Sequence, residues 1–256
     1  MEDDRYKPLG HTELQDPLPL LSTFEILGQT TLNCSWFPIH RLLSLAPNLT
    51  ELVLSDISLV GVDQNPEQLV LPHLERLSIA GFKALEWHAH ILRCFSTPRL
   101  QGLGLPMRSI TSDGFAPFLQ RSPPLQRFCL DGFAPGRGIS IRGVLDLLPS
   151  LTHLEISCSI IGKIVFARLF ALLAEEPPVL PDLCVLNAFM TRSPSPSAWS
   201  NLLHALSGRR HTLRKIKITI TSAALDASPD TLAGFQALLA DGVDIDIGFG
   251  RNLLLV

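Results

Sequence analysis

One eight-residue pattern, Pro-x-Leu-x-x-Leu-x-Leu, returns along almost the whole chain. It spans Pro47–Leu54, Pro72–Ile79, Pro98–Leu105, Pro123–Leu130 and Pro149–Ile156. An early copy is Pro19–Ile26, a looser one is Pro181–Ala188, and His211–Ile218 lacks the proline. The first apolar anchors are Leu21, Leu49, Leu74, Leu100, Leu125, Leu151, Leu183 and Leu213, spaced by 28, 25, 26, 25, 26, 32 and 30 residues. Spacing this even marks an array of repeated supersecondary units, a constraint stronger than any local propensity.

Each copy alternates apolar and polar residues over a few positions, which predicts a short strand. Val243–Ile247 predicts one more strand that ends the array. The segments between copies carry helical spacing instead. Trp36, Ile39, Leu42 and Leu43 share one face; so do Val165, Leu169, Leu172 and Leu173, and so do Trp199, Leu202, Leu203 and Leu206. Ser228-Pro229 ahead of Leu232, Phe235 and Leu239 reads as an N-cap followed by proline in the first turn. The proline of each copy is expected to stop the preceding helix and pre-set extended backbone for the strand.

So short a strand cannot bury its apolar side alone, but stacked copies bury a continuous core. The expected fold is therefore α/β, a horseshoe or shallow arc with parallel strands on the concave face and helices on the convex face. Residues 19–256 form one such domain, behind an extended or disordered segment at 1–18. Composition agrees: 46% of residues are hydrophobic, 18% are charged and 48 are leucine, enough to build a large core.

The array matches the general leucine-rich-repeat pattern. The ninth position, where the regular pattern places a buried Asn or Cys, instead holds Gln29, Ile57, Phe82, Arg108, Phe133, Ser159, Thr191 and Thr221. With this irregularity, the Pro-x-Leu-x-x-Leu-x-Leu copies and the ending Leu238–Ile247 resemble the F-box/leucine-rich-repeat family of mushroom-forming fungi. That resemblance implies a leucine-rich-repeat solenoid and a role in substrate recognition for a Skp–cullin–F-box ubiquitin ligase. Residues 1–18 contain Pro8, Gly10 and Pro17, and are too short and too broken for a three-helix F-box. The Skp adaptor is therefore expected as a partner only if an F-box lies upstream. Such a module would also cover the apolar first strand around Phe24 and Ile26.

Outward positions on successive strands should line up in rows, because neighbouring strands lie ~4.8 Å apart. One row runs Thr23, Glu51, Arg76, Gly102, Arg127, His153, Val185, Lys215, Asp244; the next runs Glu25, Val53, Ser78, Gly104, Cys129, Glu155, Asn187, Lys217, Asp246. Ion pairs are expected for Glu51–Arg76, Lys215–Asp244 and Lys217–Asp246. The expected protein-binding surface comprises Glu51, Arg76, Arg127, His153, Glu155, Asn187, Lys215 and Lys217, with Gly102 and Gly104 as a flat patch where a partner backbone can approach.

Catalytic, cofactor and metal sites are not expected. His88, His90 and Cys94 supply too few ligands for a zinc site and no CxxC or HExxH accompanies them. Gly132–Gly138 lacks the Gly-Lys-Ser/Thr ending of a phosphate loop, and there is no Gly-x-Ser-x-Gly elbow. The net charge of −3 argues against nucleic acid. An acidic start without an apolar h-region and the absence of any long apolar run predict no signal peptide and no membrane span, hence a cytoplasmic or nuclear monomer. Five cysteines without a CxxC pair read as reduced thiols. Thr191–Ser197 reads as a polar surface loop in which Ser193 and Ser195 precede prolines, the context of proline-directed phosphorylation. The resulting functional expectation is a non-enzymatic protein-interaction module. The alternative is a truncated or degenerate paralogue without independent function.

Overall fold

The computed structural model describes residues 16–28, 33–60, 68–81, 85–132, 140–158, 162–221 and 227–249. Among these, nine strands form one open parallel sheet: β1 (Thr23–Leu27), β2 (Glu51–Ser55), β3 (Arg76–Ala80), β4 (Gly102–Pro106), β5 (Arg127–Asp131), β6 (His153–Cys158), β7 (Val185–Met190), β8 (Lys215–Ile220) and β9 (Asp244–Phe249). Their order in space is their order in the chain. Each strand belongs to one sequence copy, and β9 is the terminal strand expected without a full copy. The register keeps the copies in phase: Leu52, Leu77, Leu103, Phe128, Leu154, Leu186, Ile216 and Ile245 form one continuous line across the sheet.

Among the described residues helices lie in every gap except that between β2 and β3: α1 (Trp36–Ser44), α2 (Leu85–Cys94), α3 (Phe115–Arg121), α4 (Ile141–Leu145), α5 (Gly162–Leu173), α6 (Pro196–Arg209) and α7 (Pro229–Ala240). Their apolar faces and the inward strand residues share one core. Trp36, Ile39 and Leu43 are buried as their spacing predicts; so are Val165, Leu169 and Leu173, and so are Trp199, Leu202 and Leu206. In α7 the expected face is rotated. Phe235 and Leu238 are buried, whereas Leu232 and Leu239 stand out to solvent. Ser228 does cap α7, its Oγ accepting from Thr231 N at 3.2 Å.

The prolines act differently from the sequence expectation. The first leucine of a copy donates its N–H to the carbonyl three residues back: Leu21 to Leu18, Leu49 to Ala46, Leu74 to Leu71, Leu100 to Thr97, Leu151 to Leu148 and Leu183 to Leu180, at 3.1–3.3 Å. Pro19, Pro47, Pro72, Pro98, Pro149 and Pro181 thus occupy the second position of a hydrogen-bonded turn, where their fixed φ is favourable and no N–H is needed. The repeat motif encodes a turn followed by a strand.

A second device is repeated from copy to copy. The carbonyl just before the first outward position of a copy accepts two backbone N–H groups from the next copy. Ser22 O receives Thr50 N and Glu51 N, Thr50 O receives Glu75 N and Arg76 N, and the series continues through Glu75, Gln101, Gln126, Thr152 and Cys184, all at 2.8–3.1 Å. The hydroxyls of Thr50 and Thr152 donate to Ser22 O and Gln126 O as well, each at 3.0 Å. This ladder joins neighbouring copies through backbone groups, independently of any side chain at the ninth position.

β1 and β9 are the outer strands of the sheet among the described residues. On β1, Phe24 and Ile26 are only partly covered and Leu27 is 65% exposed. β9 instead presents the exposed carboxylates Asp244 and Asp246.

Candidate functional site

Strand alternation sends every second side chain into the core and the others to the uncovered face. On that face a depression of about 360 Å³ spans six adjacent strands, β2 to β7. It brings together Glu51, Arg76, Arg127, His153, Glu155 and Asn187, with Gly102 and Gly104 at its centre. Lys217 lies outside it, on an adjoining depression of about 220 Å³ shared with Glu155, Asn187 and Phe189. Lys215 lines neither.

The electrostatics of the face differ from strand to strand. Arg76 holds Glu51 in a two-pronged contact, Nε to Oε1 at 3.1 Å and Nη2 to Oε2 at 2.7 Å. That hydrogen bond, reinforced by the guanidinium charge, lowers the Glu51 pKa against a smaller effect of burial. Lys215 pairs with Asp244 at 3.2 Å. Lys217 and Asp246 face each other in register as expected, but form no ion pair within 4 Å. Both are exposed, where such a contact is worth little and solvation competes. Arg127 is exposed and its guanidinium has no hydrogen-bond or ion-pair partner among the described residues.

His153 sits beside Arg127 in register and its Nδ1 lies 2.9 Å from Thr152 Oγ1. The Thr152 hydroxyl already donates its one proton to Gln126 O. Nδ1–H must therefore donate to Thr152, which leaves Nε2 of the neutral ring as an acceptor. Desolvation, aided by the Arg127 charge, lowers the His153 pKa and favours this neutral form.

Cys129 is also on this face, below His153. Burial, then the carboxylates of Glu155 and Asp131, push its thiol up to about 12. A shift from the ordinary 9.0 cuts the thiolate about 10³-fold at neutral pH. Higher intrinsic nucleophilicity recovers part of that, with a Brønsted slope of about 0.4–0.5. Cys129 should therefore alkylate with iodoacetamide about 30-fold more slowly than a free peptide cysteine at pH 7.5, as read by peptide mass spectrometry. Alkylation at the free-cysteine rate would show that the thiol is not suppressed.

The outward positions Ser78, Val185, Phe189 and Thr219 also line the two depressions. Two-residue alternation carried along all six residues of β7 and β8 identifies Phe189 and Thr219. Reading only two rows per copy stops short of them.

Thr191–Ser197 is not a loose surface loop. Ser193 is buried and its Oγ accepts the Trp199 indole N–H at 3.2 Å. Ser195 caps α6, its Oγ accepting from Ala198 N at 3.4 Å. A negative charge should therefore be tolerated at one serine and not at the other. Ser195→Asp keeps a good capping group and should change stability by less than about 0.5 kcal/mol. Ser193→Asp buries a carboxylate among apolar groups and should cost about 2–3 kcal/mol. Thermal melts of the two variants decide the point, and equal melting temperatures would refute it.

At the His88–Cys94 segment, Cys94 is fully buried and its thiol donates to His90 O at 3.1 Å. The His88 side chain and residues 133–138 of the glycine-rich loop lie outside the described residues. Among the described residues no three His, Cys, Asp or Glu side chains gather as a metal-binding group. No helix among them is long and apolar enough to cross a membrane.

No protein-family model matches the chain, and no curated protein matches it.

Proposed function

We propose that this chain is a leucine-rich-repeat solenoid that acts as a non-enzymatic protein-binding module through the uncovered face of its sheet. The observation that carries this reading is the depression spanning β2 to β7, which a concave sheet face accounts for. Six strands contribute charged, apolar and side-chain-free positions to one continuous surface, the mixture a protein partner needs. The Cys129 thiol, its pKa raised by burial, is a suppressed nucleophile there. Relation to the substrate-recognition part of a Skp–cullin–F-box ubiquitin ligase rests on the repeat pattern and its irregular ninth position.

A photo-crosslinking amino acid tests the face directly. Placed in cells at Ser78 or Asn187, on the uncovered face, it should give discrete protein adducts. Placed at Arg168, exposed on α5, it should give none. Equal adducts from both sides, or none from the sheet face, would overturn the reading.

A further inference from the structure

The centre of the depression lacks a side chain at Gly102, which has arginine on each side. Gly102 pairs in register with Arg76 on one neighbour strand and Arg127 on the other. A Cβ at Gly102 would touch Arg76 Cγ at 3.5 Å and Arg127 Cβ at 3.7 Å. The stems of the two arginines are thus the walls of the gap. Over Gly104, in the next row, the Ser78 side chain closes the gap, its Oγ 3.0 Å from where a Cβ would lie.

The walls are not electrically equivalent. Arg76 commits Nε and Nη2 to Glu51, and its charge is already balanced. Arg127 has no carboxylate partner among the described residues, and the neutral His153 ring beside it provides none. Glu155, the next carboxylate in the depression, is exposed one row further along and makes no ion pair with Arg127 within 4 Å. The gap over Gly102, itself buried between these stems, is therefore a place of uncompensated positive charge. Val185, half-buried in the same row, lies three strands away, about 14 Å at ~4.8 Å per strand. An extended peptide covers that distance in about four residues.

Building on the protein-binding reading of this face, we propose that the Gly102 gap seats a carboxylate side chain of an extended acidic peptide segment, held by Arg127, with an apolar residue four positions away over Val185. A polyanion fits less well. Only one guanidinium is uncompensated, and Glu155 and Glu51 border the same depression.

The test is an NMR titration of the full chain with the peptide Ser-Glu-Ser-Ser-Ser-Leu-Ser, compared with peptides carrying Gln or phosphoserine in place of Glu. The Glu peptide should shift the Gly102 and Gly104 amide resonances and bind about two- to fivefold more tightly than the Gln peptide, the scale of one exposed ion pair. Arg127→Gln should lose that difference. Gly102→Ala, whose Cβ meets only ordinary contacts there, should preserve the melting temperature and weaken binding, and Gly102→Val should fill the gap and abolish it. Arg168→Gln, far from the face, should change nothing. Equal binding of Glu and Gln peptides, or undiminished binding to Gly102→Val, would overturn the proposal. Tighter Arg127-dependent binding of the phosphoserine peptide would reassign the gap to a phosphorylated side chain and so overturn the carboxylate assignment. Face-specific crosslinks alongside a failed titration would remove this proposal alone. Failure of both would remove the protein-binding reading as well.

Discussion

Replacing Trp199 with alanine should cost about 4 kcal/mol, the range for emptying a fully buried aromatic site. Trp199 is 0% exposed on α6. Its ring lies 6.0 Å from that of Phe235 on α7, edge to face, and 6.3 Å from that of Phe170 on α5. One side chain thus couples three successive helices, and its N–H also satisfies the buried Ser193 hydroxyl. Alanine leaves a cavity and removes that donor together. The packed helix pairs are chain neighbours, so stability is close to a sum of local terms and nearest-neighbour couplings. Denaturant unfolding should therefore show more than a lowered midpoint: the region from β8 onward should melt in an earlier, separate step. A single transition shifted by less than about 1 kcal/mol would show that the aromatic cluster is not the coupling element.

Arg209→Met should cost about 2–3 kcal/mol, although it removes a buried charge. Arg209 is 8% exposed at the end of α6. Its guanidinium donates to Val179 O at 3.0 Å and to Leu180 O. Leu180 has φ +56°, a left-handed conformation that a side chain resists, and the arginine ties down its carbonyl just before the turn into β7. Burial lowers the Arg209 pKa, a sign that the cation is desolvated. Methionine relieves that penalty and keeps the apolar stem, but leaves Val179 O without a donor, worth about 1–3 kcal/mol, and Leu180 O with the Leu183 N–H alone. The unsatisfied Val179 carbonyl and the loss of two charge-assisted bonds outweigh the relief. Arg209→Lys should fall between, since one ammonium cannot reproduce the planar fork. A methionine variant as stable as the parent in urea titration would show that desolvation wins.

The strands were legible because each copy repeats its alternation, and repetition averages out the ambiguity of a short apolar run. The rows of the uncovered face followed from the same alternation, so Glu51 against Arg76 and Lys215 against Asp244 could be paired before any coordinates. What escaped depends on contacts between distant residues. Ser193 sits in a polar, proline-rich stretch, and nothing local reveals that Trp199 turns its N–H toward it. Arg209, in the run Gly208-Arg209-Arg210, resembles any basic helix end. Its role depends on the Val179 and Leu180 carbonyls 30 and 29 residues earlier. In α7, Leu238 and Leu239 are adjacent and the periodicity alone does not choose between them; packing buries Leu238. The uncompensated charge of Arg127 is visible only once Arg76, and not Arg127, is seen to hold Glu51.

The two outer strands of the sheet bear on polymerisation. A sheet built of in-phase parallel strands can in principle continue from one molecule to the next, β9 of the first against β1 of the second, and grow into a fibre. Continuing the register by one strand would set Asp244 beside Thr23 and Asp246 beside Glu25. Asp244 is already occupied by Lys215, but Asp246 and Glu25 would stand about 4.8 Å apart as like charges on every junction. Among the described residues, the outward row of β9 thus carries a carboxylate that opposes such stacking against the Glu25 row of β1.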